Sequence, residues 1–168
     1  MIYKEFSEGK ITEKQMAKLF VKVVESSKEQ DIKEHWDLEV SYKGAFKKID
    51  VKGLKKQNRY DPFPNENFHW VELENVLGGK HSGWVYGKAD YISFETTDYW
   101  IMVDRLVLVN FIEKKVVGKT IEKTKDPYTL YQRNGRKDVV VKVKTIDLIR
   151  ICDDVLNKPE DEQANNQE

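Results

Sequence analysis

Apolar residues along this chain follow two periods. From Thr12 to about residue 30 they recur at helical spacing (Met16, Leu19, Phe20, Val23 and Val24), with Thr12 and Gln15 placed as a capping box, so an amphipathic helix is expected over roughly 12–30. The period then drops to two. Trp36, Leu38 and Val40 alternate with Asp37, Glu39 and Ser41, and after a Tyr42-Lys43-Gly44 turn, Ile49 and Val51 alternate with Asp50 and Lys52. These are two strands of one hairpin. A third strand is expected over Phe68–Val76, after a loop over Asn58–Asn67 that carries Pro62 and Pro64.

Beyond a glycine-punctuated connection, Gly78–Gly87, the pattern predicts a hairpin of Ala89–Glu95 and Tyr99–Val103 turning at Thr96-Thr97-Asp98. Asp104 is placed to cap a helix that ends at Gly118. Residues 119–137 are polar, with an Asn134-Gly135 turn signal. Val139–Val143 reads as a strand, and Thr145 as the cap of a helix through Leu156. The expectation is one α+β domain over 1–157 and a disordered acidic tail over 158–168, without internal repeats.

Composition narrows the class. With hydrophobic residues at 39% and charged ones at 35%, the chain of 168 residues is that of a globular domain able to bury a core. No run reaches the ~18 apolar residues of a membrane span, and no apolar signal segment opens the chain. Cys152, the single cysteine, reads as a core residue and leaves no internal disulfide, so a cytoplasmic setting is expected. Net charge is zero, but Lys158 against Glu160, Asp161, Glu162 and Glu168 makes the tail −3 and the remainder +3. That alone does not mark a nucleic-acid binder. Lys43, Lys47, Lys48, Lys52, Lys55, Lys56 and Arg59 nevertheless gather around the first hairpin.

The candidate chemistry lies in that hairpin. Asp37, Asp50 and Lys52 project from one face of two adjacent strands, and two carboxylates beside an ammonium are costly unless a divalent cation bridges them. Competing motifs are weaker. Gly78-Gly79-Lys80-His81-Ser82-Gly83 lacks the spacing of a phosphate loop, His35, His69 and His81 with one cysteine make no zinc pattern, and no nucleophile elbow is present. Trp84-Val85-Tyr86-Gly87-Lys88-Ala89-Asp90-Tyr91 could stack bases, although alternating aromatics ordinarily belong to a core.

The spacing Asp37-x12-Asp50-x-Lys52, behind a helix, resembles the PD-(D/E)XK (restriction-endonuclease-like) nuclease superfamily, of a small, single-domain, phage-associated kind. The resemblance covers about residues 20–76. It implies a core of a helix and a three-stranded meander, and Mg²⁺- or Mn²⁺-dependent cleavage of DNA. The metal would be held by Asp37, Asp50, the backbone carbonyl of Val51 and a helix-borne glutamate, Glu25 matching best and Glu29 second. Lys52 would handle the attacking water and the phosphate charge, and Glu72 on the third strand would border the site. The long helix that usually follows that strand is deferred behind the glycine-rich connection and the second hairpin, so helix-borne family residues there cannot be carried over. Lys48, Lys55, Lys56, Arg133 and Arg136 are candidate phosphate contacts, with Tyr131 beside the last two. A homodimer is compatible with this reading. Its rivals are the same fold used as a silent nucleic-acid-binding or protein-binding module, and a phage inhibitor of a host protein.

Overall fold

The computed structural model describes residues 12–20, 22–116 and 118–159, and in it the alternating segments sort into two sheets. The elements follow as α1 (residues 12–17), β1 (Val23–Glu25), α2 (Lys28–Glu34), β2 (Leu38–Tyr42), β3 (Ala45–Lys52), β4 (Phe68–Glu74), a 3₁₀ turn (Trp84–Tyr86), β5 (Tyr91–Glu95), β6 (Tyr99–Asp104), α3 (Arg105–Val116), β7 (Ile121–Glu122), β8 (Leu130–Gln132), β9 (Val139–Lys144), α4 (Thr145–Ile151) and β10 (Asp154–Asn157). The larger sheet runs β1-β2-β3-β5-β6-β10 and the smaller β4-β9-β8-β7. The α+β class expected from the pattern is what the structure has.

Three boundaries differ from expectation. The single helix over 12–30 is broken into three pieces. Val23 and Val24 are β-branched and pair with Val40 and Glu39 as an edge strand. The chain restarts as α2 only at Ser27, whose hydroxyl and Gln30 form a reciprocal capping box. The meander also stops after two strands. β3 is flanked on its far side by β5, in parallel register from Ile49↔Tyr91 to Lys52↔Phe94, while β4 pairs with β9 in the other sheet. The helix from Thr145 ends at Ile151, and Asp154–Asn157 turns back as a strand against β6. Most of the expected tail lies outside the described residues. Its first residue is fastened, with Lys158 Nζ 2.9 Å from Glu95 Oε2.

Alternation along the central strands builds two cores. Leu38, Val40, Ile49, Val51, Trp100 and Met102 pack on one face of the large sheet, under Met16 of α1. Ile92, Phe94, Ile101 and Val103 point the other way, where Val71 and Leu73 of β4, Val141 and Val143 of β9, Leu108 and Ile112 of α3 and Leu148 of α4 cover them. Asp104 Oδ1 accepts from the N–H groups of Leu106 and Val107 and caps α3, as expected. Gly83 lets the 3₁₀ turn lie against β4. A Cβ there would meet the Glu72 carbonyl oxygen at 2.2 Å, so any side chain would push Trp84 away from the strand.

Candidate active site

Strand register decides where the chemistry goes. Asp50 is opposite Ile92, and Ile92 is opposite Val103, so Asp50 stands in an apolar row and is only 3% exposed. Lys52, two residues on, lies in the next row beside Phe94. The D-x-K face is therefore not the solvated outer face of a hairpin. It turns inward, toward the second sheet.

Asp37 precedes β2, its N–H donating to the Ile49 carbonyl at 2.8 Å, and its Oδ2 accepts from the Val51 N–H at 2.7 Å. This brings the Asp37 carboxyl against that of Asp50, close enough to share a proton. Burial, and then the charge of Asp50, push Asp37 up to about 7 against the opposing Val51 hydrogen bond and Lys52 charge. Burial also raises Asp50, with Lys52 opposing. The Asp50 charge thus makes Asp37 harder to ionise, and burial acts in the same direction on both acids. Asp50 Oδ1 is 2.8 Å from Lys52 Nζ, whereas its buried Oδ2 meets no donor while Asp37 is ionised. The Val51 carbonyl leaves the strand on the same edge as its N–H, which is the edge Asp37 occupies.

The Lys52 ammonium also lies 4.4 Å from the centre of the Trp84 ring. Glu72 Oε1 accepts from the Trp84 N–H at 3.3 Å, so the 3₁₀ turn holds Glu72 and Lys52 on facing walls of one cleft. Burial raises the Glu72 acid, with the Trp84 N–H and the Lys52 charge opposing. The structure thus gathers Asp37, Asp50, Val51 and Lys52, with Glu72 at the border.

Glu25 stands elsewhere. It is an exposed residue of β1, not of a helix, and is paired with Leu38, which faces the α1 side of the sheet. The helix beside the acids is α2, and its Asp31 is the acid whose charge reaches Asp50. Glu29, the second match, is on that helix but paired with Lys33 at 2.5 Å in the open. His35, which the sequence offers only as one of three histidines without a zinc pattern, also borders the site. It ends α2 with φ 57°, and its ring feels both Lys52 and Glu72, although burial is what chiefly lowers its pKa. The Ser27/Gln30 capping box was a legible sign of α2; nothing local announced the turn of His35.

The proposed phosphate contacts divide. Lys55 and Arg133 line a cavity of about 420 Å³ that opens from Lys52 and Glu72. Lys48 is turned to Glu34, at 3.8 Å, and to the Trp36 ring. Lys56 and Arg136 are exposed. Cys152 is half-buried at the end of α4, its thiol donating to the Ile149 carbonyl.

The donors present suit a hard, water-retaining cation. Among the described residues no three His, Cys, Asp or Glu side chains converge as a ready-made metal cage. Two carboxylates and a carbonyl leave most positions to water, as Mg²⁺ prefers. The unpartnered Asp50 Oδ2, beside the raised Asp37 acid, marks a place where a divalent ion could sit. Comparison with known proteins yields no matching family model, no matching curated protein and no matching solved structure. Among the described residues no helix is long and apolar enough to cross a membrane.

Proposed function

We propose that this protein hydrolyses phosphodiester bonds in DNA, using Mg²⁺ or Mn²⁺ held by Asp37, Asp50 and the Val51 carbonyl, as in a restriction-endonuclease-like site. The observation that carries this reading is the burial of Asp37 and Asp50 against each other with Lys52 at 2.8 Å and one Asp50 oxygen unpartnered. Stability alone gives no reason to keep such a cluster. The resemblance in spacing supports the same reading independently of the contacts.

Bound there, the ion would supply charge for the phosphate and an acidified water. The chain's own part is positioning. Val51 N–H fixes Asp37, and Lys52, held between Asp50 and the Trp84 ring, places one positive charge where a phosphate oxygen would lie. As an ammonium, Lys52 can also donate a hydrogen bond to the oxygen of the attacking water and so hold it beside the phosphate. Glu72 closes the far wall and repels phosphate from it, which orients the strand toward Lys52.

The test is incubation of plasmid, single-stranded and branched DNA with Mg²⁺ or Mn²⁺, for wild type beside Asp50→Asn and Lys52→Ala. Divalent-dependent cutting that both variants lose is expected. Cutting retained by either purified variant, or none from wild type with either ion, overturns the proposal. A gel shift without cutting would instead favour a binding module built on this scaffold.

A further inference from the structure

The cavity beyond Lys52 has features that phosphodiester hydrolysis does not require. At about 420 Å³ it lies in the range of pockets that accept small molecules, ~300–1,000 Å³. Its floor is one face of the smaller sheet: Glu72 is opposite Val140, Val140 is opposite Tyr131, and Trp70 stands in the next row opposite Lys142. The Trp70 and Tyr131 rings lie 6.1 Å apart and only 36° from parallel, and Trp84 and Phe94 contribute from the opposite wall.

Polar groups in the lining are unusual. Gln57, His69 and Asp138 are each more than nine-tenths buried, yet Gln57 Oε1, His69 Nε2 and Asp138 Oδ1 have no hydrogen-bond partner. Their other atoms are engaged, Gln57 Nε2 donating to the Phe68 carbonyl and Asp138 Oδ2 accepting from Arg133. Buried polar atoms left in this state cost free energy unless something completes them. They share one cavity with flat aromatic faces and with four cations, Lys52, Lys55, Lys125 and Arg133, against Glu72 and Asp138. A planar heterocycle with donors and acceptors on its edge, attached to a phosphate, meets all three features at once.

We propose that this cavity receives one unstacked nucleobase of the strand whose phosphate lies at Lys52, so that the substrate is a nucleic acid with an unpaired or extruded base. The assignment rests on the nuclease reading for the position of the phosphate and deepens it by naming the substrate class. Trp70 and Tyr131 stack on the base, Gln57 and Asp138, whose unpartnered oxygens lie just beneath the cavity wall, turn to read its edge, and Lys125 and Arg133 stand at the flanking phosphates. A base held in a stack cannot reach these groups without leaving the helix, which costs least where it is already unpaired.

The test measures binding in EDTA, so that no strand is cut. The probes are a single-stranded hexamer with one 2-aminopurine, the same hexamer with an abasic site there, a matched duplex containing 2-aminopurine, and 2-aminopurine deoxynucleoside monophosphate alone. The base-containing hexamer is expected to bind about tenfold more tightly than the abasic hexamer and the matched duplex, with 2-aminopurine emission quenched on binding. Tyr131→Leu should remove that preference. Gln57→Leu, with thermal melting as a folding control, should weaken it as well. Equal affinity for base-containing and abasic strands overturns the proposal, and so does a mononucleotide that binds as tightly as the hexamer. Mg²⁺-dependent cutting without base preference would sink the cavity assignment alone. Base preference without any cutting would sink the nuclease reading while the cavity's ligand stood.

Discussion

Strand β3 carries two opposite kinds of surface on alternate residues. Ile49 is fully buried among Leu38, Val40, Trp100 and Met102 beneath α1, neighbours that carry no charge. Asp50, its neighbour, is buried to almost the same degree on the other face, beside Ile92, but with a second acid against it, an ammonium at 2.8 Å and one oxygen unpaired. One face holds the fold together. The other buries charge at a cost to it, and that cost is the ground on which the proposed function rests.

Substitutions on the two faces of β3 should therefore have opposite signatures. Largest is the expected loss of cleavage: Asp50→Asn, which removes the buried charge and leaves the half-buried Lys52 able to reach solvent, should lower divalent-dependent cutting about 10²–10⁴-fold with little change in melting temperature. An Asp50→Asn protein that melts many degrees lower would place the residue in the structural class instead. Next, Ile49→Ala should destabilise by about 2–5 kcal/mol in urea titrations, because it opens a cavity in the face under α1. A cost well below 1 kcal/mol would mean that this core is loosely packed.

Smaller, and of the other sign, is Asp37→Asn. Asp37 titrates near 7 when folded and near 3.8 when unfolded, so the native state binds the extra proton between these values. The stability it contributes is present below about 4 and is lost as pH rises through 7. His69 works in reverse: burial lowers it to about 4, so the native state resists a proton that the unfolded chain takes up, and stability falls as pH drops from 6.5 toward 4. Asp37→Asn should be more stable than wild type by roughly 0.5–2 kcal/mol at pH 8, with the difference vanishing toward pH 4. Added Mg²⁺ should narrow the gap by stabilising wild type only. A pH-independent difference would show that burial and the Asp50 charge do not raise the Asp37 acid.

The smallest effect is expected at Glu25. Since it lies on the exposed β1 edge, on the α1 side of the sheet, Glu25→Gln should leave cleavage within twofold and stability within about 0.5 kcal/mol. A hundredfold loss of cutting would return it to the metal site.

How much of this was legible depended on sequence distance. The β2–β3 hairpin, and with it the pairing of Asp37 and Asp50, is set by a short turn and a two-residue period, both local signals. The capping of α3 by Asp104 and the turn at Asn134-Gly135 were local too. What the pattern could not give was the company those strands keep. No periodicity announces that β5, some forty residues on, would align in parallel beside β3, or that β4 would leave for the other sheet. The inward turn of the Asp50 face follows from that pairing, and so do the roles of Trp84 and His35. The misplacement of Glu25 has a different origin. Met16, Leu19, Phe20, Val23 and Val24 fit a helical period, yet the β-branched pair takes up an edge strand, and tertiary pairing overrides a short periodic run.

That parallel alignment also bears on the order of events during synthesis. The hairpin holding both acids can form as soon as residue 52 has emerged. Until Ile92 and Phe94 close over it and Trp84 arrives beneath Lys52, its carboxylates face water and retain ordinary acidities. A nascent chain halted before β5 would thus display the sequence motif without the buried environment that raises its acids. That environment would be completed late, at one closing step. Pulsed hydrogen exchange during refolding should find the Val51 amide protected together with β5, after the amides at the β2–β3 turn.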